Sequence, residues 1–278
     1  MDILFLLFLS AILFFFLIRS KEAGFTNLIF FKGKYQGFIQ YDPIPNDVEL
    51  DEFMLKHFAF YHLLTDLDRS QFRKKIYKVL KSKWFKGREG LEISNEMMLL
   101  VAATMAQISL GLPDFNFPKF DRIVLFPKRF YSEIIQHDLK GLTIFKTGVV
   151  LISWSDYQQG YSEPTDKLNL GLHEMAHALF LDYFHSKHMR IMYSNWLTVA
   201  KPVLASMKIN EGPQFLRDYA KSNIHEFWAV CVEHFFEAPI QFKEQLPELY
   251  LAMCNVLNQN MAQRIFDYSE SKKTENIG

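Results

Sequence analysis

Cysteine is almost absent from this 278-residue chain, where Cys231 and Cys254 are the only two. Two thiols cannot build a disulfide framework, and these lie too far apart in sequence for a CxxC redox or zinc motif, so both read as free core thiols. An excess of one charge is missing as well. Lys plus Arg and Asp plus Glu number 31 each, which leaves no basic field to attract nucleic acid or to hold the whole surface against anionic lipid. No nucleic-acid partner is expected. What is present, 49% hydrophobic and 22% charged residues, describes a globular chain with a sizeable core, folded as one large domain or two small ones.

Charge is also lacking in residues 3–18, ILFLLFLSAILFFFLI. The run is short of the usual span of about 20 residues but close to the lower limit of roughly 17. A cleaved signal peptide needs basic residues before the run and a small-residue site after it, whereas Asp2 precedes it and RSKEAGF follows. A soluble docking helix of this composition would need a complete burial shell. Residues 1–20 therefore read as an N-terminal transmembrane helix that anchors the chain in the membrane through 3–18. Arg19, Lys21, Lys32 and Lys34 follow the run, and the positive-inside rule places the remainder in the cytoplasm. Residues 21–45 read as a linker, 46–269 as the functional domain, and the polar 270–278 as a frayed tail.

Within that domain the pattern is α+β and mostly helical. Residues 48–90 carry apolar side chains at helical spacing, interrupted by DLDRSQFRKK, and read as two helices with a turn. ISNEMMLLVAATMAQISLGLP reads as a buried helix capped by Ser94 or Asn95 and ended at Gly111 and Pro113. RIVLF, LTIFK and VVLISW, the last two joined at Thr147-Gly148, read as a small sheet. Helices return from 168 to 186, from about 192 to 207, over the FLRDYAKSNIHEFWAVCVEHFFEAP region, and from 243 to 268, with Pro239 ending the third.

Chemistry is concentrated in NLGLHEMAHALFLDYFH, residues 169–185. On a helix, residues four apart lie one turn up and about 40° around, so His173 and His177 can aim at one ion. Glu174 is turned about 100° from His173 and is free to hold a water. Zinc held by two histidines and a carboxylate keeps a fourth position for water and lowers its pKa to about 7. Glu174 would take that proton and pass it to the leaving amine. The alternative is a pair of core histidines on a packing helix, and a third ligand decides between them. The extended pattern HExxHxxGxxH is excluded, because Phe180 and Tyr183 stand where Gly and His are required. Farther on, Glu226 and Glu233 compete for the role, seven apart on one helix face and flanked by His225 and His234; Tyr219 falls near that face two turns earlier.

The chain resembles the Mlc titration factor A family of zinc peptidases, itself similar in its catalytic domain to anthrax lethal factor. The resemblance rests on NLGLHEMAHAL, YAKSNIHEFWAVCVEHFFEAP and VVLISW, with looser support from NEMMLLVAATMAQISLGLPDF and VLFPKRF. It covers roughly residues 65 to 240. It implies a zincin-like (gluzincin) metallopeptidase domain with a small mixed sheet. It also implies zinc on His173, His177 and Glu226, with Glu174 as catalytic base and Tyr219 as donor to the oxyanion. Glu233 then becomes a supporting residue. The substrate is expected to be a peptide or protein lying along the edge strand beside the active-site helix, for which VVLISW is the candidate. The name-giving member of the family sequesters a transcriptional repressor, so the resemblance also implies a rival role as a regulatory binding protein with a protein partner. One departure is Phe180, where family members often carry an Asp; Asp182 is the nearest acid to replace it as partner of an imidazole.

Overall fold

The computed structural model describes residues 35–112, 115–132, 135–183 and 187–275. The anchor read at residues 3–18 lies outside them. Among the described residues no helix is long and apolar enough to cross a membrane.

Three helices open the domain: α1 (Asp47–His57), α2 (Ala59–His62) and α3 (Asp66–Ser82). Asn46 starts α1 through a capping box: its Oδ1 accepts from Val48 and Glu49 N–H, both at 3.0 Å, and the Glu49 carboxylate accepts from Asn46 N–H. Thr65 caps α3. Strand β1 (Trp84–Gly87) follows directly, then α4 (Asn95–Ser109), capped by Ser94 as expected. Every residue of α4 from Met98 onward is buried. Its alanines let α3 and α6 (Leu170–Tyr183) pack closely on it from either side.

Next come β2 (Arg122–Phe126), the hairpin of β3 (Phe130–Ser132) and β4 (His137–Leu139), then β5 (Gly141–Ile144) and β6 (Val149–Ser153). The main sheet has the order β1-β2-β6-β5, parallel except for β5, which runs antiparallel along β6. Alternate side chains divide between two faces. Ile123, Leu125, Val150 and Ile152 enter the main core, while Val124, Phe126, Val149 and Leu151 form a second cluster with Phe130 and Phe38.

Helices α5 (Trp154–Ser162), α6 and α7 (Lys187–Lys208) lead to a 3₁₀ turn at Asp218–Lys221. The chain ends with α8 (Ile224–Glu237), α9 (Pro239–Gln245), α10 (Pro247–Leu257) and α11 (Met261–Glu275). The result is the mostly helical α+β fold with a small mixed sheet that the sequence implied.

Several expectations are corrected. VVLIS is not an edge strand: β6 is paired on both sides and buried throughout, because its five side chains serve both faces of the sheet. The edge beside α6 is β5. The linker read at 21–45 joins the domain before residue 46, since Ile39 exchanges two 2.8 Å backbone bonds with Phe85 and Phe38 and Tyr41 are buried. The tail read from 270 is helical to Glu275. Pro239 does not stop α8, which ends at Glu237; it opens α9, where its missing N–H leaves no bond unmade. Cys231 is a buried free thiol as expected, whereas Cys254 is half-buried.

Gly111, just past the end of α4, lies against the turn after α10. An added Cβ there would lie 2.2 Å and 2.4 Å from the backbone carbonyl oxygens of Asn258 and Leu257. Gly111→Ala is therefore expected to destabilise the domain by about 1–3 kcal/mol in denaturant titration, without changing the metal site.

Candidate metal centre

Two helices build the site. Asn169 starts α6, accepting from Leu172 N–H on its Oδ1 at 2.9 Å, and Asn223 starts α8, accepting from His225 and Glu226 N–H. Inside the core the Trp228 indole N–H of α8 donates to the Ala176 carbonyl of α6 at 2.9 Å. The caps set where each helix begins, the Trp228 bond ties one helix to the other, and the HExxH face of α6 meets the Glu226 face of α8.

At that meeting the His173 and His177 Nε2 atoms lie 3.1 Å apart. A Glu226 carboxylate oxygen sits 3.1 Å from the first and 3.5 Å from the second. Ligand bonds of ~2.0–2.1 Å at tetrahedral angles put neighbouring donors about 3.3 Å apart. The triad His173, His177 and Glu226 therefore fits a tetrahedrally bound ion, with two imidazole nitrogens and one carboxylate oxygen converging.

The sequence left Glu226 and Glu233 in competition, and geometry separates them. Glu233 reaches the other nitrogen of the same ring: its Oε1 accepts from His173 Nδ1 at 2.8 Å, and its Oε2 accepts from Asn169 N–H at 2.8 Å. A carboxylate on Nδ1 holds the proton there, so that the proton a metal ion would displace is the one on Nε2. The acid missing at Phe180 is thus supplied to His173 from α8. Phe180 itself is buried edge-on against Tyr193 and His225, each with ring centroids 4.5 Å away. Asp182 does not replace it; it is buried, and its charge acts on the buried Lys83.

Glu174 occupies the third side. It is buried, and desolvation raises its carboxyl pKa against the pull of His177 and His173. Thr143 of β5 donates its hydroxyl to Glu174 Oε2 at 2.8 Å. A Cβ at Gly141 would fall 2.4 Å from Glu174 Oε1, so only glycine lets the edge strand approach this carboxylate.

Tyr219 is not on the helix of Glu226, as the spacing of seven suggested, but on the preceding 3₁₀ turn. The turn still brings it to the site, with its ring 5.9 Å from that of His173. Burial, together with the charges of Glu226 and Glu174, pushes its phenol up to about 12, so it remains a donor at neutral pH.

The field is negative throughout. Although burial opposes its charge, the carboxylates of Glu226 and Glu233 raise His173 to about 10. Desolvation notwithstanding, the two imidazoles hold Glu226 well below the usual carboxylate range. A buried cluster that binds a proton this firmly is one in which a dication can take the proton's place.

Comparison with known proteins agrees with the geometry. Residues 34–257 match the family model described as glucose-regulated metallo-peptidase M90. The uncharacterized protein slr2042 of Synechocystis sp. is 25% identical over 210 residues, covering 69% of this chain and 76% of that protein.

Metal uptake should displace the His173 proton. Because the folded-state pKa is raised, the protonated form persists through neutral pH and competes more strongly as pH falls. Apparent metal affinity, measured by competition with a chromophoric chelator, should drop by about tenfold for each pH unit below that pKa. An affinity independent of pH between 6 and 8 would exclude His173 as a ligand.

Proposed function

The chain belongs to the glucose-regulated metallo-peptidase M90 family, and on that premise we propose a zinc-dependent hydrolase of peptide bonds with Glu174 as general base and acid. The observation that carries the reading is the convergence of His173 Nε2, His177 Nε2 and the Glu226 carboxylate beside a buried Glu174. Zinc held by those three residues supplies the Lewis acidity that activates water and polarises a carbonyl.

The chain's own residues do the rest. Thr143 holds one oxygen of Glu174, and the acid's raised pKa suits it to take a proton from the attacking water and return it to the departing amine nitrogen. Tyr219, protonated and half-exposed beside His173, donates to the oxyanion as it forms.

Substrate is read along β5 rather than β6. Ser153 N–H bonds the Lys140 carbonyl at 2.7 Å. Alternation along an antiparallel pair then turns the N–H and C=O of Gly141 and Thr143 away from β6, toward the open edge. An extended peptide pairing there lies over Glu174, which touches the same two residues. This arrangement of HExxH helix and edge strand supports a zincin-type core, like the catalytic domain of anthrax lethal factor. From the sequence alone we also propose that residues 3–18 hold the peptidase domain at the cytoplasmic face of a membrane.

Glu174→Gln should reduce hydrolysis of a quenched peptide library by roughly 10²–10⁴-fold with zinc stoichiometry unchanged. Retained turnover would remove Glu174 from the mechanism. No turnover in the wild type, together with a protein partner captured equally by wild type and Glu174→Gln, would favour the regulatory binding role.

A further inference from the structure

Arg217 stands at the foot of the turn that carries Tyr219. Its carbonyl accepts from Ala220 N–H at 2.9 Å, the bond that closes the 3₁₀ turn. Its guanidinium Nη2 donates to Glu233 Oε1, the same oxygen that accepts from His173 Nδ1. Glu233 is 2% exposed. One buried carboxylate thus receives three donors, from the metal-site imidazole, from the start of α6 and from the Tyr219 turn.

Other ties hold the turn as well: Ala220 is buried in the core, and Lys221 donates to Asn210 Oδ1 at 3.1 Å. Ser222 bonds the Tyr219 carbonyl through its N–H and its hydroxyl, and Lys221 pairs with the exposed Asp218. A single 3₁₀ turn has little stability of its own, and exposed pairs contribute little. The Tyr219 side chain meets the Glu226 carboxylate directly, and the Arg217–Glu233 pair joins the start of the turn to the partner of the His173 imidazole.

We propose that Arg217 is a positioning residue for hydrolysis: through Glu233 it sets the Tyr219 phenol against the His173 imidazole, so that one carboxylate places both. The inference rests on the peptidase reading above for its kinetic consequence, but not for its structural one. Arg217 also borders a cavity of about 410 Å³ lined by Met207 and Leu216 together with Asn210, Gln214 and Asp218, so an unbranched replacement of similar length has room there.

The test combines Arg217→Met, Arg217→Lys and Tyr219→Phe in the full chain. Arg217→Met should lower kcat by about tenfold or more and leave KM within about twofold, with zinc stoichiometry as in wild type. It should also speed hydrogen exchange at the Ala220 and Ser222 amides. Arg217→Lys, which keeps the charge without the planar fork, should restore part of both losses. Added to Tyr219→Phe, Arg217→Met should cost nothing further in kcat. Fully additive losses, or amide exchange unchanged by Arg217→Met, would overturn the proposal. If the wild type cleaves no peptide, faster exchange in Arg217→Met still supports the tie and the peptidase reading fails by itself.

Discussion

One hydrogen bond, His173 Nδ1 to Glu233 at 2.8 Å, sets the orientation of the imidazole between the two helices that make this site. With Nδ1 committed to the carboxylate, Nε2 is the nitrogen aimed at the point where His177 and Glu226 converge. The same Glu233 takes the N–H of Asn169, the residue that starts α6, so the orientation of the ring and the beginning of its helix are set together. Removing that carboxylate would free the imidazole to turn, and the three donors would no longer be held in advance of the ion.

Burial makes this arrangement consequential. Glu174 and Glu233 are almost without solvent, and Glu226 is held ionised by the two imidazoles. Arg217 and a protonated His173 offset part of this buried negative charge, and a cation bound between the imidazoles and Glu226 would offset more of it. The sheet contributes from the other side. β5 comes within contact of Glu174 only because Gly141 has no side chain, and Thr143 then fixes the carboxylate by a direct bond. Core packing of α4, α6 and α8 positions His173, His177 and Glu226, and the edge of the sheet positions Glu174.

What the sequence disclosed follows from the range of each signal. The His173–Glu174–His177 spacing is local and survives any packing, so helix periodicity alone placed these residues. Glu226 and Glu233 also share a helix face as read, but which nitrogen of His173 each meets depends on how α6 and α8 cross. Strand position was partly legible: an unbroken apolar run such as VVLIS is the mark of a strand buried on both faces, whereas GLTI, with a glycine and a threonine, suits an edge. β1 was missed because only Phe85 of its four residues is buried. Tyr219 reached the site by a turn rather than by helix phase, and Arg217 gave no signal, since a lone arginine before a turn looks like any solvated cation.

The proposed donor set is two imidazole nitrogens and one carboxylate oxygen, from His173, His177 and Glu226. X-ray absorption at the zinc edge of the metal-loaded protein measures that set directly. The expected spectrum has two imidazole scatterers with the remaining ligands oxygen, all at ~2.0–2.2 Å, and it loses one oxygen shell contribution in Glu226→Ala. A third imidazole, a sulfur scatterer, or a spectrum unaltered in Glu226→Ala would contradict it.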